Sequence, residues 1–396
     1  MKKFADWLDL RLPYRAFLKK NLTQYYVPKN LNIWYVFGSI ALIVLLNQLI
    51  TGIWLTMFYT PTPENAFGSI EYIMRDVNYG WLIRYMHTTG SNAFFIIIYL
   101  HIFRSLLYGS HKSPRELVWI FGVTLYLLLI IEAFTGYLLP WGQMSYWGAQ
   151  AIIHLFDTIP MIGEDFANWL RGDYSISGIT LSRFFALHII LIPLFLLFFT
   201  YLHLTALRRV GSNNPTGIEM KNKYAEGITF HPYYTMKDLL AAVIFFMLFA
   251  SVIFFAPTLG GLFITQDNFI PANALQTPVN IHPLWYLSPY YTILRGIPYK
   301  FLGIITFFAS LFILYLLPWL DRSKVRSIRY RGLFSKVALF IFVLSFIGLL
   351  VLGLISLTPT RLLIIRILTL LYFLFFLLMP FYTRFEKTKP TPENTL

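Results

Sequence analysis

The sequence predicts an all-α polytopic membrane protein with eight transmembrane helices, the first four forming a four-helix bundle. Three observations predict it. The chain is 57% hydrophobic and 13% charged, with a mean hydropathy of +0.61, far more apolar than a soluble domain of its length. Its apolar residues gather into eight runs near 34–58, 82–106, 117–138, 182–206, 239–257, 298–317, 335–356 and 362–382, each close to the ~20 residues a helix needs to cross a bilayer. These runs are continuous rather than alternating with period two, which argues against a membrane β-barrel.

Taken in order, residues 1–33 read as a cytoplasmic segment of mixed charge with Pro13 and Pro28. The first span is too long for a signal h-region, so no presequence is expected. Residues 34–212 hold the first four spans, 213–238 form a cytoplasmic connection, 239–382 hold the second four, and 383–396 are a cytoplasmic tail. The loops 139–181 and 258–297 lie on the outer face and are rich in proline, glycine and aromatics. Within the first, "SYWGAQAIIHLF" reads as a short surface helix, and ordered loops of this length often carry a site. Orientation follows from charge: with the N-terminus inside, 24 of the 32 Lys and Arg residues fall on inner segments, as basic residues prefer. Both termini are therefore expected in the cytoplasm. The net charge of +14 then reflects topology and lipid contact rather than nucleic-acid binding. The absence of cysteine removes disulfides and thiolate-held clusters.

The second span carries His87 and His101, fourteen residues apart, and the fourth carries His188 and His203, fifteen apart. Fourteen residues are nearly four turns, about 21 Å along a helix rising 1.5 Å per residue, so each pair shares one face at two depths. The two helices run parallel, which levels His87 with His188 and His101 with His203. Two neutral imidazoles on opposite sides of a plane suit six-coordinate haem iron, whereas zinc prefers four tetrahedral ligands. The first four spans thus read as a di-haem bundle.

Glycines repeat the interval: Gly38 and Gly52 on the first span, Gly122 and Gly136 on the third, each pair fourteen apart. Each removes a side chain that would block a flat macrocycle, the alternative being close helix packing through small residues. Gln48 lies between the first two and is counted with them as cofactor-binding. Arg84 and Arg104 each lie three residues outside a histidine, placed to pair with haem propionates or to snorkel to the membrane surface.

At this point the chain resembles a known family, cytochrome b of the ubiquinol–cytochrome c reductase (cytochrome bc) complex, in its bacterial form. The stretches that carry the resemblance are "GWLIRYMHTTGSNAFFIIIYLHIFR", "PRELVW", "GYLLPWGQMSYWGA", "TLSRFFALH", "GSNNPTG", "HPYYTMKDL" and "WYLSPYYTILRGIP". The resemblance implies two non-covalent b haems: a low-potential one on His87 and His188 near the outer face, and a high-potential one on His101 and His203 near the cytoplasm. It implies quinol oxidation outside, between the "WGQMSYWGA" and "PLWY" loops, and quinone reduction inside near Lys237 and Asp238. One electron passes to an iron–sulfur partner and cytochrome c, the other across the membrane through the haems. It also implies Rieske and cytochrome c-one partner subunits, a homodimer, and residence in the bacterial cytoplasmic membrane.

Two positions depart from that family. The glutamate of its "PEWY" segment is Leu284 here, which cannot accept a proton, and a quinone-contacting histidine five residues after His203 is Arg208, which donates a hydrogen bond but delivers no proton. Glu132, one turn before Gly136, is the expected substitute at the outer site, since an ionisable group within a span costs roughly 3 kcal/mol and marks function; the competing reading is a structural acid bonded to a haem-pocket group. Tyr137, Tyr286 and Tyr291 are expected to contribute hydrogen bonds but titrate too high to act as bases. His111, His154, His231 and His282 are expected to be solvated or capping. A di-haem anchor of another dehydrogenase leaves the second four spans unexplained, a transporter leaves the level histidine pairs unexplained, and a scaffold without quinol chemistry is motivated by Leu284 and Arg208.

Overall fold

The computed structural model describes residues 2–392. Among them, eight helices are long and apolar enough to cross a membrane: Ile33–Thr56, Gly80–Tyr108, Glu116–Leu138, Gly178–Val210, Phe230–Phe255, Lys300–Leu320, Leu333–Gly353 and Pro359–Leu377. The chain is a multi-pass, nearly all-α membrane protein. The first span packs on the second and the third on the fourth, closing one bundle; the fifth lies against the first and second, and the sixth against the third. Large apolar side chains remain exposed along the spans, with Leu46, Ile50 and Ile53 of the first each more than half exposed. In lipid this costs nothing, because hydrocarbon tails are as apolar as leucine.

The helices begin and end where backbone chemistry requires. The second span stops at Gly109, which adopts the left-handed conformation with φ of 64°, an arrangement that favours glycine at a helix C-terminus. A side chain there would also strike the Arg326 carbonyl at 2.7 Å. The fourth span carries one π turn, Leu187–Leu191. Pro193 follows it and has no N–H to return to the Ile189 carbonyl, and a local shift to i+5 bonding accommodates that loss.

Several elements lie outside the spans. The expected surface helix forms, as Gln143–Phe156, and is joined by Ala66–Arg75, Gly163–Arg171 and Ser288–Gly296. Tyr26–Pro28 pairs antiparallel with Gly227–Thr229, tying the N-terminal segment to the connection before the fifth span. That connection is shorter than expected, since the helix proper starts at Thr235; Lys237 and Asp238 therefore sit in its first turn rather than in a loop.

An ion cluster fastens the loops on the face that carries the N-terminal segment. Asp321 is buried and accepts from His111 Nε2 at 2.8 Å, from Lys112 Nζ at 3.1 Å and from Arg331. Burial by itself would raise this carboxyl, but the His111 hydrogen bond and the Arg331 and Lys112 charges outweigh it and hold it below the usual range. His111 is thus a buried partner of Asp321 and not the solvated residue expected; a carboxylate desolvated this far needs donors on every lone pair. Arg115 forks onto Glu219 at 2.5 and 3.0 Å, and Arg326 meets the same carboxylate at 2.6 Å. The connections after the second, fourth and sixth spans are therefore stitched together.

Candidate haem and quinol sites

The four histidines meet in two level pairs. The His87 and His188 ring centroids are 6.1 Å apart, and those of His101 and His203 6.4 Å. A metal-bound imidazole nitrogen lies about 2 Å from the ion; adding the distance from nitrogen to ring centre on both sides gives roughly 6 Å, so each pair is spaced to hold one metal between them. Protonation of the outer pair is fixed by its neighbours. His188 Nδ1 is 3.0 Å from the Glu132 backbone carbonyl, which only accepts, so Nδ1 carries the proton and Nε2 presents a lone pair. His87 Nδ1 lies 2.9 Å from the Thr51 hydroxyl, which donates to the Asn47 carbonyl at 2.6 Å and so accepts from the ring. Ligand histidines are oriented through the other ring nitrogen in this way.

Each glycine faces one of these rings. A Cβ on Gly38 would lie 3.4 Å from His101 Cε1, on Gly52 3.2 Å from His87 Cε1, and on Gly122 3.3 Å from His203 Cε1. On Gly136 it would lie 2.8 Å from His188 Nδ1 and 2.9 Å from Nε2. The shared interval of glycines and histidines thus corresponds to a spatial match: each glycine faces an imidazole from the neighbouring helix, and at Gly136 the approach leaves no room for a side chain. Gln48 bridges the same helices, donating to the His87 carbonyl at 3.1 Å.

Both arginines are cations without a carboxylate partner among the described residues. Arg84 is 6% exposed, contacts the Met74 sulfur at 3.8 Å and lines the cavity beside His87. Arg104 stacks on the Tyr35 ring at 3.7 Å and reaches Ser110 Oγ at 3.2 Å. A buried guanidinium with no anion fits a ligand that brings one. The residues present therefore fit two flat, bis-imidazole, anionic cofactors.

A cavity of about 320 Å³ is lined by His87, His188, Gly52, Gly136, Arg84 and Gln48 together with Glu132, Tyr137, Leu284 and Tyr286. Glu132 reaches His188 Nδ1 with Oε1 at 3.1 Å, while its Oε2 is buried with no partner. The carboxylate thus touches a haem-pocket group and faces the cavity. Tyr291 is set apart, its hydroxyl 3.5 Å from the Ile281 carbonyl and its ring under Arg295. Burial raises the hydroxyls of Tyr286 and Tyr291, which keeps both as hydrogen donors.

At the His101–His203 end of the bundle Asp238 accepts from Ser39 Oγ at 2.8 Å, beside Gly38. Lys237 lies over Tyr234 at 4.7 Å, and Arg208 over Tyr25 at 4.0 Å. Phe230 joins those two rings, 6.1 Å from Tyr25 and 6.5 Å from Tyr234, so Arg208 and Lys237 cap the ends of one aromatic row. Arg208 also donates to the Asn21 carbonyl at 2.9 Å, which commits part of its fork to the N-terminal segment.

Sequence reading missed Thr51 and Asn92. Both are polar residues inside an apolar span, in "NQLIT" and "TTGSNA", and that cost in lipid is the signal that marks them.

Family comparison agrees with this geometry. Residues 22–211 match the family described as cytochrome b/b6/petB, and 271–373 match cytochrome b(C-terminal)/b6/petD. The chain is 52% identical to a cytochrome b of Allochromatium vinosum, covering 98% of this chain and 97% of that one. It is 48% identical to a cytochrome b of Rickettsia prowazekii, covering 98% and 96%. A solved chain of a hyperthermophilic respiratory Complex III superposes with a TM-score of 0.90 at 39% identity, over 96% of this chain and 98% of that one. With both halves matched and its histidine pairs in place, the chain belongs to the cytochrome b family.

Proposed function

We propose that the chain is the cytochrome b of a quinol–cytochrome c oxidoreductase of the complex III type, oxidising quinol at an outer site and reducing quinone at an inner one, and so contributing to a proton gradient. The observation that carries this is the outer cavity, where one continuous space is lined both by the His87–His188 pair and by Leu284 and Tyr286. Haem b at each level supplies reversible one-electron iron chemistry. His87 and His188 would hold the outer group and His101 and His203 the inner, and Arg84 and Arg104 would supply positive charge for an anionic cofactor.

The remaining steps belong to this chain's own residues. Quinol enters an apolar cavity whose walls, Leu284 among them, exclude water; Glu132 Oε2 is the free acceptor there, able to take a proton that Leu284 cannot. Tyr137 and Tyr286 orient the ring by donating hydrogen bonds. At the inner face Asp238, held by Ser39, delivers protons from the cytoplasm, and Lys237 balances the charge that develops. Arg208 positions the N-terminal segment over this site. Rieske and cytochrome c-one partners, a homodimer, and a bacterial inner membrane with both termini inside complete the reading. The domain division follows it: a di-haem block at 34–212 and a second block at 239–382 that supplies the outer-site segment.

A second reading, a scaffold with impaired quinol chemistry, is motivated by Leu284 and Arg208. One paired experiment separates them: dithionite-reduced difference spectra together with quinol-driven cytochrome c reduction by the purified complex. Two b-type signals with turnover are expected, and His101→Ala should remove the inner signal. Two signals without turnover would establish the scaffold; both signals intact in His101→Ala would break the ligand assignment.

A further inference from the structure

Asn92, Phe95 and Tyr99 follow His87 on the second span by five, eight and twelve residues, and all three grip the segment that walls the outer cavity. Trp285 Nε1 donates to Asn92 Oδ1 at 2.7 Å in a buried contact. The Asn92 amide nitrogen donates to the Thr88 carbonyl at 2.8 Å, which turns its oxygen toward the indole. The Tyr286 ring lies flat on Phe95, 3.7 Å between centroids and 4° between planes. Tyr99 hydroxyl donates to the Tyr286 carbonyl. Tyr126 of the third span backs this contact, its hydroxyl 3.2 Å from that of Tyr99 and 2.8 Å from that of Tyr290.

We propose that Asn92, Phe95 and Tyr99 are positioning residues that bolt the outer-cavity wall, Pro283–Tyr286, to the helix carrying His87. The proposal rests on the reading of that cavity as the quinol site. Its physical content is rigidity. A loop held by one contact can pivot; a loop held by an indole hydrogen bond, a stacked ring and a backbone acceptor on one helix has no free axis. The stacking area and the two hydrogen bonds, one of them buried, differ in chemistry, so no single neighbour explains all three. Leu284 has no polar group with which to place itself, and its position in the cavity is inherited from Trp285 and Tyr286. The separation between the quinol ring and the outer histidine level is then set along one helix, with no hinge between them.

The test uses the assembled complex in its membrane. Asn92→Leu and Trp285→Phe each remove one side of the indole bond, and Tyr99→Phe removes one hydroxyl with almost no change of shape. Loosening a wall that binds substrate and transition state alike raises KM and spares kcat. Each variant should therefore raise KM for quinol about tenfold with kcat within about twofold, the size expected for one buried hydrogen bond. The outer haem spectrum should be unchanged, and amide exchange of residues 284–287 should quicken while that of the second span does not. The Asn92→Leu/Trp285→Phe pair should be no worse than its worse member, because both remove one interaction. Effects that multiply in the pair, or faster exchange with unmoved KM, would overturn the proposal. If Asn92→Leu fails to assemble, Tyr99→Phe decides by the same two readouts. A wild-type complex that shows no quinol oxidation would instead sink the function reading, and amide exchange would still decide whether the bolt exists.

Discussion

Replacing Gly136 by alanine should cost the outer haem and spare the inner one. The new methyl would stand 2.8 Å from His188 Nδ1 and 2.9 Å from Nε2, closer still to Cε1. An ordinary carbon contact is about 3.5 Å, so the imidazole has to retreat by more than half an ångström. Little room exists for this, because its Nδ1 is tied to the Glu132 carbonyl at 3.0 Å and Glu132 rides on the same helix as Gly136. Overpacking of this kind costs about 1–3 kcal/mol, roughly a 5- to 150-fold loss of outer cofactor affinity. The same change at Gly38 puts the methyl 3.4 Å from His101 Cε1 and 3.7 Å from Nδ1, which is ordinary packing and should be tolerated. Haem content per complex, with redox titration of the two b-type components, measures both. Gly136→Ala with two haems and an unmoved outer midpoint, or Gly38→Ala with the greater damage, would refute the claim that Gly136 is required to admit the His188 imidazole.

Two further outcomes follow from the proton routes. Glu132→Gln should slow quinol oxidation at least tenfold, about 1.4 kcal/mol of barrier, with both haems bound, and Leu284→Glu in that background should restore part of the rate; wild-type turnover across the neutral range would make the acid purely structural. Asp238→Asn should slow reoxidation of the inner haem by quinone in single-turnover kinetics, and unchanged rates would move the proton source to another group or to water.

The spans and the histidine levels were legible because both obey one-dimensional rules. Lipid demands ~20 apolar residues, and helix pitch turns a fourteen-residue interval into two depths. The glycine interval was legible as a pattern while its immediate cause was not: nothing in "FTGYLL" says that the neighbour across the gap is an imidazole. Features set by three-dimensional closure escaped. His111 read as a loop residue because Asp321, its partner, lies 210 positions away. The pairing of Tyr26–Pro28 with Gly227–Thr229 involves segments too short to show a period. The start of the fifth span was read late because Lys237 and Asp238 look like loop charge, yet a helix carries charge freely in a first turn that meets water. Arg208 was placed at the inner site by analogy of position, and its bond to Asn21 depends on how the N-terminal segment folds back.

The fourteen-residue interval has an electrical meaning as well. The two histidine levels stand about 21 Å apart along the helix axis, some two-thirds of a hydrocarbon core about 30 Å thick. On the proposed function, an electron carried inward between them would move negative charge toward the negative side of an energised membrane. Against 100 mV, a full crossing costs about 2.3 kcal/mol per charge, so this partial one costs roughly 1.5. The inner level must therefore hold its electron more tightly than the outer by at least about 65 mV before transfer runs downhill. The pitch of a helix, multiplied by a count of residues between glycines, thus sets what fraction of the membrane voltage one transferred electron works against.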